Sequence, residues 1–130
     1  MAATLKNCAI FYTLIYLCGF LSLETLSAPT YLGYYCTENG TYASNSSFRG
    51  NLNALLNSLV TNTTQAKGYY TVMGYGTASQ IDPVNGLFNC RLDLNTSSCQ
   101  QCVTAKAAEI RQRCPNQTEA IIWYEECVLR

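Results

Sequence analysis

Residues 90–102 read Cys90-Arg91-Leu92-Asp93-Leu94-Asn95-Thr96-Ser97-Ser98-Cys99-Gln100-Gln101-Cys102. Two different local patterns meet inside this stretch. Upstream, Leu87 to Asp93 reads as a strand that carries Cys90. Downstream, Ser98 to Arg113 reads as a helix. Val103, Ala107, Ile110 and Cys114 recur at i, i+4, i+7 and i+11, which is one helical face. Cys99 and Cys102 stand three apart in its first turns and so lie near one another on its surface. Pro115 stops it.

Working outward, Asp82-Pro83-Val84-Asn85-Gly86 has turn composition. Before it, Gly68 to Ala78 is rich in tyrosine and β-branched residues and reads as a strand, with Gly74 and Gly76 marking a bulge or a close backbone approach. Ser47 to Thr61 reads as a helix. Phe48, Leu52, Leu55, Leu56 and Leu59 draw one apolar stripe along it, and Ser46 or Ser47 supplies the N-cap oxygen. Thr30 to Cys36 is short and aromatic, another strand. At the far end, Glu119 to Arg130 reads as a single strand. Ile121, Trp123, Cys127 and Leu129 would share one face, with Glu125 as an unexplained interruption. The order β, α, β, β, α, β and the turn at Pro83 predict an α+β domain: an antiparallel sheet with two helices on one face.

The N-terminus is separate from that domain. Lys6 precedes an uncharged apolar run, Cys8 to Leu23, and Glu24 ends it. Small residues at Thr25 and Ser27 suit cleavage after Ser27, so residues 1–27 are expected to be a signal peptide and 28–130 one domain. The run is shorter than the ~20 residues of a spanning helix, and no second run of that length follows. No membrane span is therefore expected in the mature chain, which should be exported.

Export changes what the cysteines mean. Of the 8 in the chain, Cys8 and Cys18 fall inside the leader. Cys36, Cys90, Cys99, Cys102, Cys114 and Cys127 are left for a disulfide framework, whose pairing spacing alone does not choose. The rival for Cys99-x2-Cys102 is zinc, but the chain has 0 histidines and no second Cys-x2-Cys. No metal and no cofactor are expected. Lys plus Arg number 8, and Asp plus Glu 8, for zero net charge, so there is no electrostatic footprint for nucleic acid.

The spacing Cys90-x8-Cys99-x2-Cys102 resembles the signature of the ginkbilobin-homologous, or stress-antifungal, domain of plants. That domain is found in cysteine-rich repeat secretory proteins and in the ectodomains of cysteine-rich receptor-like kinases. The Tyr-Tyr-Cys start at Cys36, the Phe48 to Leu59 helix and the Gly74 to Gly76 segment are similar too. So are the Cys-Pro-Asn-Gln-Thr-Glu-Ala stretch from Cys114 and the Trp-Tyr-Glu-Glu-Cys stretch ending at Cys127. The resemblance implies the pairs Cys36–Cys114, Cys90–Cys99 and Cys102–Cys127. It also implies a mannose site made by an Asn, an Arg and a Glu. The first two positions are Thr37 and Ile121 here, and the third falls beyond Arg130, so the site is not matched. By the same comparison the domain is expected to lack its last few strand residues.

Without histidine no Ser-His-Asp or Cys-His arrangement exists. Glu125 and Glu126, adjacent on the expected strand, would point to opposite faces and could not act as a carboxylate pair. The chain is expected not to be an enzyme. N-x-S/T sequons at Asn39, Asn45, Asn62, Asn95 and Asn116 lie in expected loops or helix ends, where a glycan would be solvated. The reading is a secreted extracellular binding module of plant stress or defence, with a glycan or an extracellular protein as its partner. The alternatives are a mannose-binding antifungal lectin and a truncated receptor-kinase ectodomain. An exposed cluster among Tyr31, Tyr34, Tyr35, Tyr69 and Tyr75 would favour protein or glycan contact.

Overall fold

The computed structural model describes residues 28–75 and 81–130. The expected signal peptide with Cys8 and Cys18, the glycine at Gly76 and the expected strand end at Ala78 lie outside the described residues.

The element order is β1 (Tyr31–Cys36), α1 (Ser47–Asn62), β2 (Tyr69–Tyr75), β3 (Val84–Cys90), α2 (Thr96–Arg113), β4 (Ala120–Tyr124) and β5 (Cys127–Leu129). The five strands form one sheet in the order β1-β4-β5-β3-β2, and every neighbouring pair is antiparallel. Both helices pack on one face, as the pattern predicts. The core lies between them and the sheet: Leu55, Leu56 and Leu59 from α1, Val103, Ala107 and Ile110 from α2, and Val84, Phe88, Ile122, Tyr124 and Leu129 from the strands. Burying each large apolar side chain contributes about 1.5–3 kcal/mol.

The helix stripes are those read from the sequence. Phe48 and Leu52 are only partly buried, at the open end of α1. Ser46 is its N-cap, with Oγ accepting from the Arg49 N–H. The second helix begins earlier than expected, at Thr96, because Asn95 caps it: its Oδ1 accepts from the Ser98 N–H at 2.8 Å.

Two further expectations change. The turn read at residues 82–86 ends sooner, and Val84, Asn85 and Gly86 already belong to β3. Gly86 serves close packing rather than a turn: a Cβ there would sit 2.8 Å from Leu55 Cδ2 and 3.2 Å from Leu59 Cδ1. Asp82, just before β3, has φ 52°. Helix α1 holds it, since the buried Asn51 amide donates to the carbonyls of Ile81 and Asp82, both at 3.0 Å, and Ser47 Oγ donates to Asp82 Oδ2 at 2.5 Å. β2 shifts register between Val72 and Tyr75, a bulge where Gly74 suggests one.

The largest correction is at the end of the chain. Glu119 to Arg130 is not one strand but a hairpin, in which Ile122 pairs with Leu129 and Trp123 with Val128. Glu125 and Glu126 are its turn. That explains the charge that interrupted the expected strand, and it inverts the first half of the face assignment. Ile122 and Tyr124 are buried with Cys127 and Leu129, whereas Ile121 and Trp123 look outward. The turn is tied to the start of β1. The Glu125 N–H donates to the Thr30 carbonyl at 2.9 Å, and Glu126 Oε2 accepts from the Thr30 N–H at 2.9 Å. Glu125 pairs with Arg91 at 3.5 Å.

Disulfides join the layers. Cys36–Cys114 links β1 to the end of α2, with Cα atoms 5.7 Å apart. Cys90–Cys99 links β3 to the first turn of α2 at 5.8 Å. Cys102–Cys127 links α2 to β5 at 6.2 Å. The first closes 78 residues of sequence, the others 9 and 25.

Candidate functional site

A one-sided antiparallel sheet normally alternates apolar residues toward the helices with polar residues toward water. This sheet does not. Its helix side is marked by Cys36, Ala120, Ile122, Tyr124, Phe88 and Leu129. The ladder register then fixes what faces the other way. Tyr35 pairs with Ile121 and Gly33 with Trp123 across β1 and β4. Trp123 pairs with Val128, Val128 with Asn89, Asn89 with Tyr69, and Leu87 with Thr71. The uncovered face therefore groups Tyr35, Ile121, Trp123 and Val128, while Arg130 stands between Ile121 and Leu87, and Asn89 between Val128 and Tyr69. Tyr35 is 47% and Tyr69 54% exposed. Trp123 is the 1 tryptophan of the chain. A Cβ at its cross-strand partner Gly33 would be 4.0 Å from Trp123 Cε3.

Polar groups flank and interrupt this patch. The Thr37 N–H donates to the Glu119 carbonyl at 3.0 Å, continuing the β1–β4 ladder by one step. Arg130 carries it past β5, since Leu87 and Arg130 exchange backbone hydrogen bonds of 2.8 and 3.0 Å. Alternation puts Thr37, Glu119 and Arg130 on the uncovered face, and Arg130 Nη2 pairs with Glu119 Oε1 at 2.9 Å. The two positions named for the family's mannose site, Thr37 and Ile121, thus lie on this face. One carries a hydroxyl and the other no polar group.

The exposed tyrosines are not one cluster. Tyr31 and Tyr34 point to the helix side, where the Arg113 guanidinium carbon lies 4.5 and 4.9 Å from their ring centroids. Below them is a network that sequence reasoning missed. Lys106 is buried. Its Nζ sits 3.0 Å from the centroid of the Tyr124 ring and 3.1 Å from Glu109 Oε2. The Tyr124 hydroxyl donates to the same oxygen at 2.6 Å, and Arg113 Nε to Glu109 Oε1 at 2.7 Å. Burial by itself would raise the Glu109 pKa; the hydrogen bonds from Tyr124, Arg113 and Lys106 outweigh it and bring it to about 2. Every charge here is spent on a neighbour, so the network clamps α2 to β4.

A groove of about 560 Å³ opens between the two helices and the first halves of β3 and β4. Leu52, Leu55, Ile110, Val84, Ala120 and Arg130 are among the residues that line it. The sequon asparagines lie outside the five strands. Asn39 and Asn45 are in the 37–46 loop region, Asn62 ends α1, Asn95 caps α2 and Asn116 precedes β4.

Fold and disulfides define a class, a small cysteine-braced α+β module with one face of its sheet bare. The chain belongs to the family described as salt stress response/antifungal, whose model matches residues 35–130. It is 42% identical to cysteine-rich repeat secretory protein 1 of Arabidopsis thaliana over 90% of this chain and 34% of that protein. It is 44% identical to cysteine-rich receptor-like protein kinase 7 of Arabidopsis thaliana over 78% of this chain and 15% of that protein. The tandem DUF26 ectodomain of the Arabidopsis thaliana cysteine-rich receptor-like protein PDLP8 superposes with TM-score 0.71 at 28% identity, over 79% of this chain and 48% of that one. The chain thus spans about a third or less of these curated relatives, and in the kinases only the ectodomain region is matched. Among the described residues, no helix is long and apolar enough to cross a membrane.

Proposed function

We propose that the protein is a secreted, non-catalytic binding module of the plant apoplast, acting in stress or defence responses, and that the bare sheet face is its recognition surface. The observation that carries this is the arrangement of that face: an apolar and aromatic patch of Tyr35, Ile121, Trp123 and Val128 with polar groups beside it. Protein interfaces have the same anatomy. A contiguous apolar patch of this kind is a cost in water unless something covers it. Extracellular relatives and the expected leader at 1–27 support the location, and the tandem ectodomain among its structural relatives supports partnership with another module of the same fold.

A protein partner is favoured over mannose. Sugar recognition needs hydroxyl partners, and Thr37 and Ile121 supply one hydroxyl between them. Glu119 and Arg130 are engaged with each other. The test is to apply the secreted, oxidised chain to a glycan array that includes mannose and mannan, and to immobilised ectodomains of the related receptor-like kinases. Binding to an ectodomain with no signal on mannose or mannan supports the proposal. Mannose binding without protein binding would reverse it.

A further inference from the structure

We infer that the groove between the helices is a second recognition site, separate from the bare face. It accepts one extended peptide segment of another protein, laid as a strand end to end with β5.

Strand lengths make the groove. β5 covers Cys127–Leu129, and Arg130 carries its pairing one step further, to Leu87. Its neighbours reach further in that direction: β3 starts at Val84 and β4 at Ala120. Two strands that flank a third stand two strand spacings apart, on the order of 10 Å. The groove of about 560 Å³ is lined by residues 84–87 of β3, by residues 117–120 at the start of β4 and by Arg130. It therefore prolongs the lane of β5.

The wall of this lane is set for pairing. The Thr37 N–H donates to the Glu119 carbonyl at 3.0 Å, so the backbone groups of Glu119 point at β1. Alternation turns the N–H and carbonyl of the next residue, Ala120, away from β1 and into the lane. Two residues on, Ile122 is already the partner of Leu129. An extended segment antiparallel to β4 would bond to Ala120 in the same way, as a strand added to a sheet does.

The register states which side chains the segment needs. Leu129 is buried toward the helices and Arg130 lies on the bare face, so the next position in the lane faces the helices. Arg130 stands opposite Leu87, and Leu129 opposite Ile122. That next position therefore falls between Gly86 and Ala120, two of the smallest side chains. Leu52, Leu55 and Ile110 line the groove on the helix side. A large apolar side chain fits there, a polar one at the second position and an apolar one at the third. Arg111 also lines the groove. Its side chain donates to the neutral Asn53 Oδ1 at 3.1 Å and, among the described residues, to no carboxylate. An acidic residue after the third position would supply the missing charge. Phe-Ser-Val-Asp is one such segment.

The test is a titration of the ¹⁵N-labelled secreted chain with acetyl-Phe-Ser-Val-Asp-amide, from about 50 µM to about 5 mM, the range suited to a short peptide. The Gly86 and Ala120 amide signals should shift saturably, and the Ala120 amide should exchange more slowly with solvent. The same peptide methylated on its Phe nitrogen keeps the side chains but loses the donor for the Ala120 carbonyl. It should bind at least about tenfold more weakly. Ala120→Leu narrows the first position and should weaken the parent peptide as much. Arg111→Glu, at an exposed position, repeats the test should Ala120→Leu fail to fold. No shifts by the top of the range overturn the proposal, as do shifts confined to Tyr35, Trp123 and Val128. Equal binding of the methylated peptide would also overturn it, since contact without strand pairing would then suffice.

Discussion

The Tyr124 hydroxyl donates a 2.6 Å hydrogen bond to Glu109 Oε2, while the Tyr124 ring covers the buried Lys106 ammonium. One side chain thus serves both charges of the Lys106–Glu109 pair and holds α2 to β4. Tyr124→Phe keeps the ring and removes only the donor. Because the lost bond goes to a charged acceptor, the cost should be about 1.5–3 kcal/mol. Lys106→Ala should cost at least as much, since it leaves a partly buried carboxylate with fewer partners. Thermal melts of the two variants check both.

The same carboxylate makes stability depend on pH. Glu109 titrates near 4.5 when unperturbed and at about 2 in the fold. A lowered folded pKa adds stability that is fully present above the unfolded value and is lost as pH falls through the folded one. The melting temperature should therefore fall between about pH 4.5 and pH 2. Glu109→Gln should be less stable at neutral pH and show a shallower slope in that window. An unchanged slope would mean that another group controls acid unfolding.

Gly86→Ala tests the tight layer between β3 and α1. The added methyl would meet Leu55 Cδ2 at 2.8 Å, Leu59 Cδ1 at 3.2 Å and the Arg130 carbonyl oxygen at 3.3 Å. One of these neighbours is backbone, so relief by rotamer change is incomplete. Overpacking of this kind costs about 1–3 kcal/mol, or roughly 4–8 °C of Tm per kcal/mol in a domain of this size.

Replacing Cys36 and Cys114 together with serine removes the bridge that closes 78 residues. The expected loss is about 2–5 kcal/mol. Among the described strands β1 sits at the sheet edge beside β4, so without this bridge it should be the first element to exchange amide hydrogens with solvent. Hydrogen exchange resolved by peptide would show this, and uniform loss of protection across the sheet would contradict it.

How much of this was legible depended on periodicity. The helices announced themselves because Leu55, Leu56 and Leu59, and Val103, Ala107 and Ile110, repeat on a single face. The terminal hairpin did not. Residues 121–124 run Ile-Ile-Trp-Tyr, apolar toward both sides, since one side meets the core and the other forms the centre of the bare face. A strand without alternation gives no clue to its register. Its turn, Glu125-Glu126, has none of the glycine or asparagine that marks most two-residue reversals. The hairpin also hides the candidate surface, because a single strand's period-two pattern places Ile121 and Trp123 on the same side as Cys127 and Leu129. Lys106 and Asn51 were missed for a different reason: charged and amide side chains are read as exposed unless their partners are known, and those partners lie on β4 and at residues 81–82.

The most direct test of the recognition surface is binding of the secreted chain to the immobilised ectodomain of cysteine-rich receptor-like protein kinase 7, measured by surface plasmon resonance with and without Ile121→Lys. Saturable binding that the substitution weakens at least about tenfold, a loss of ~1.4 kcal/mol, while mannan fails to compete, is the predicted result. Binding that is indifferent to a lysine in the centre of the bare face, or that mannan abolishes, would contradict it.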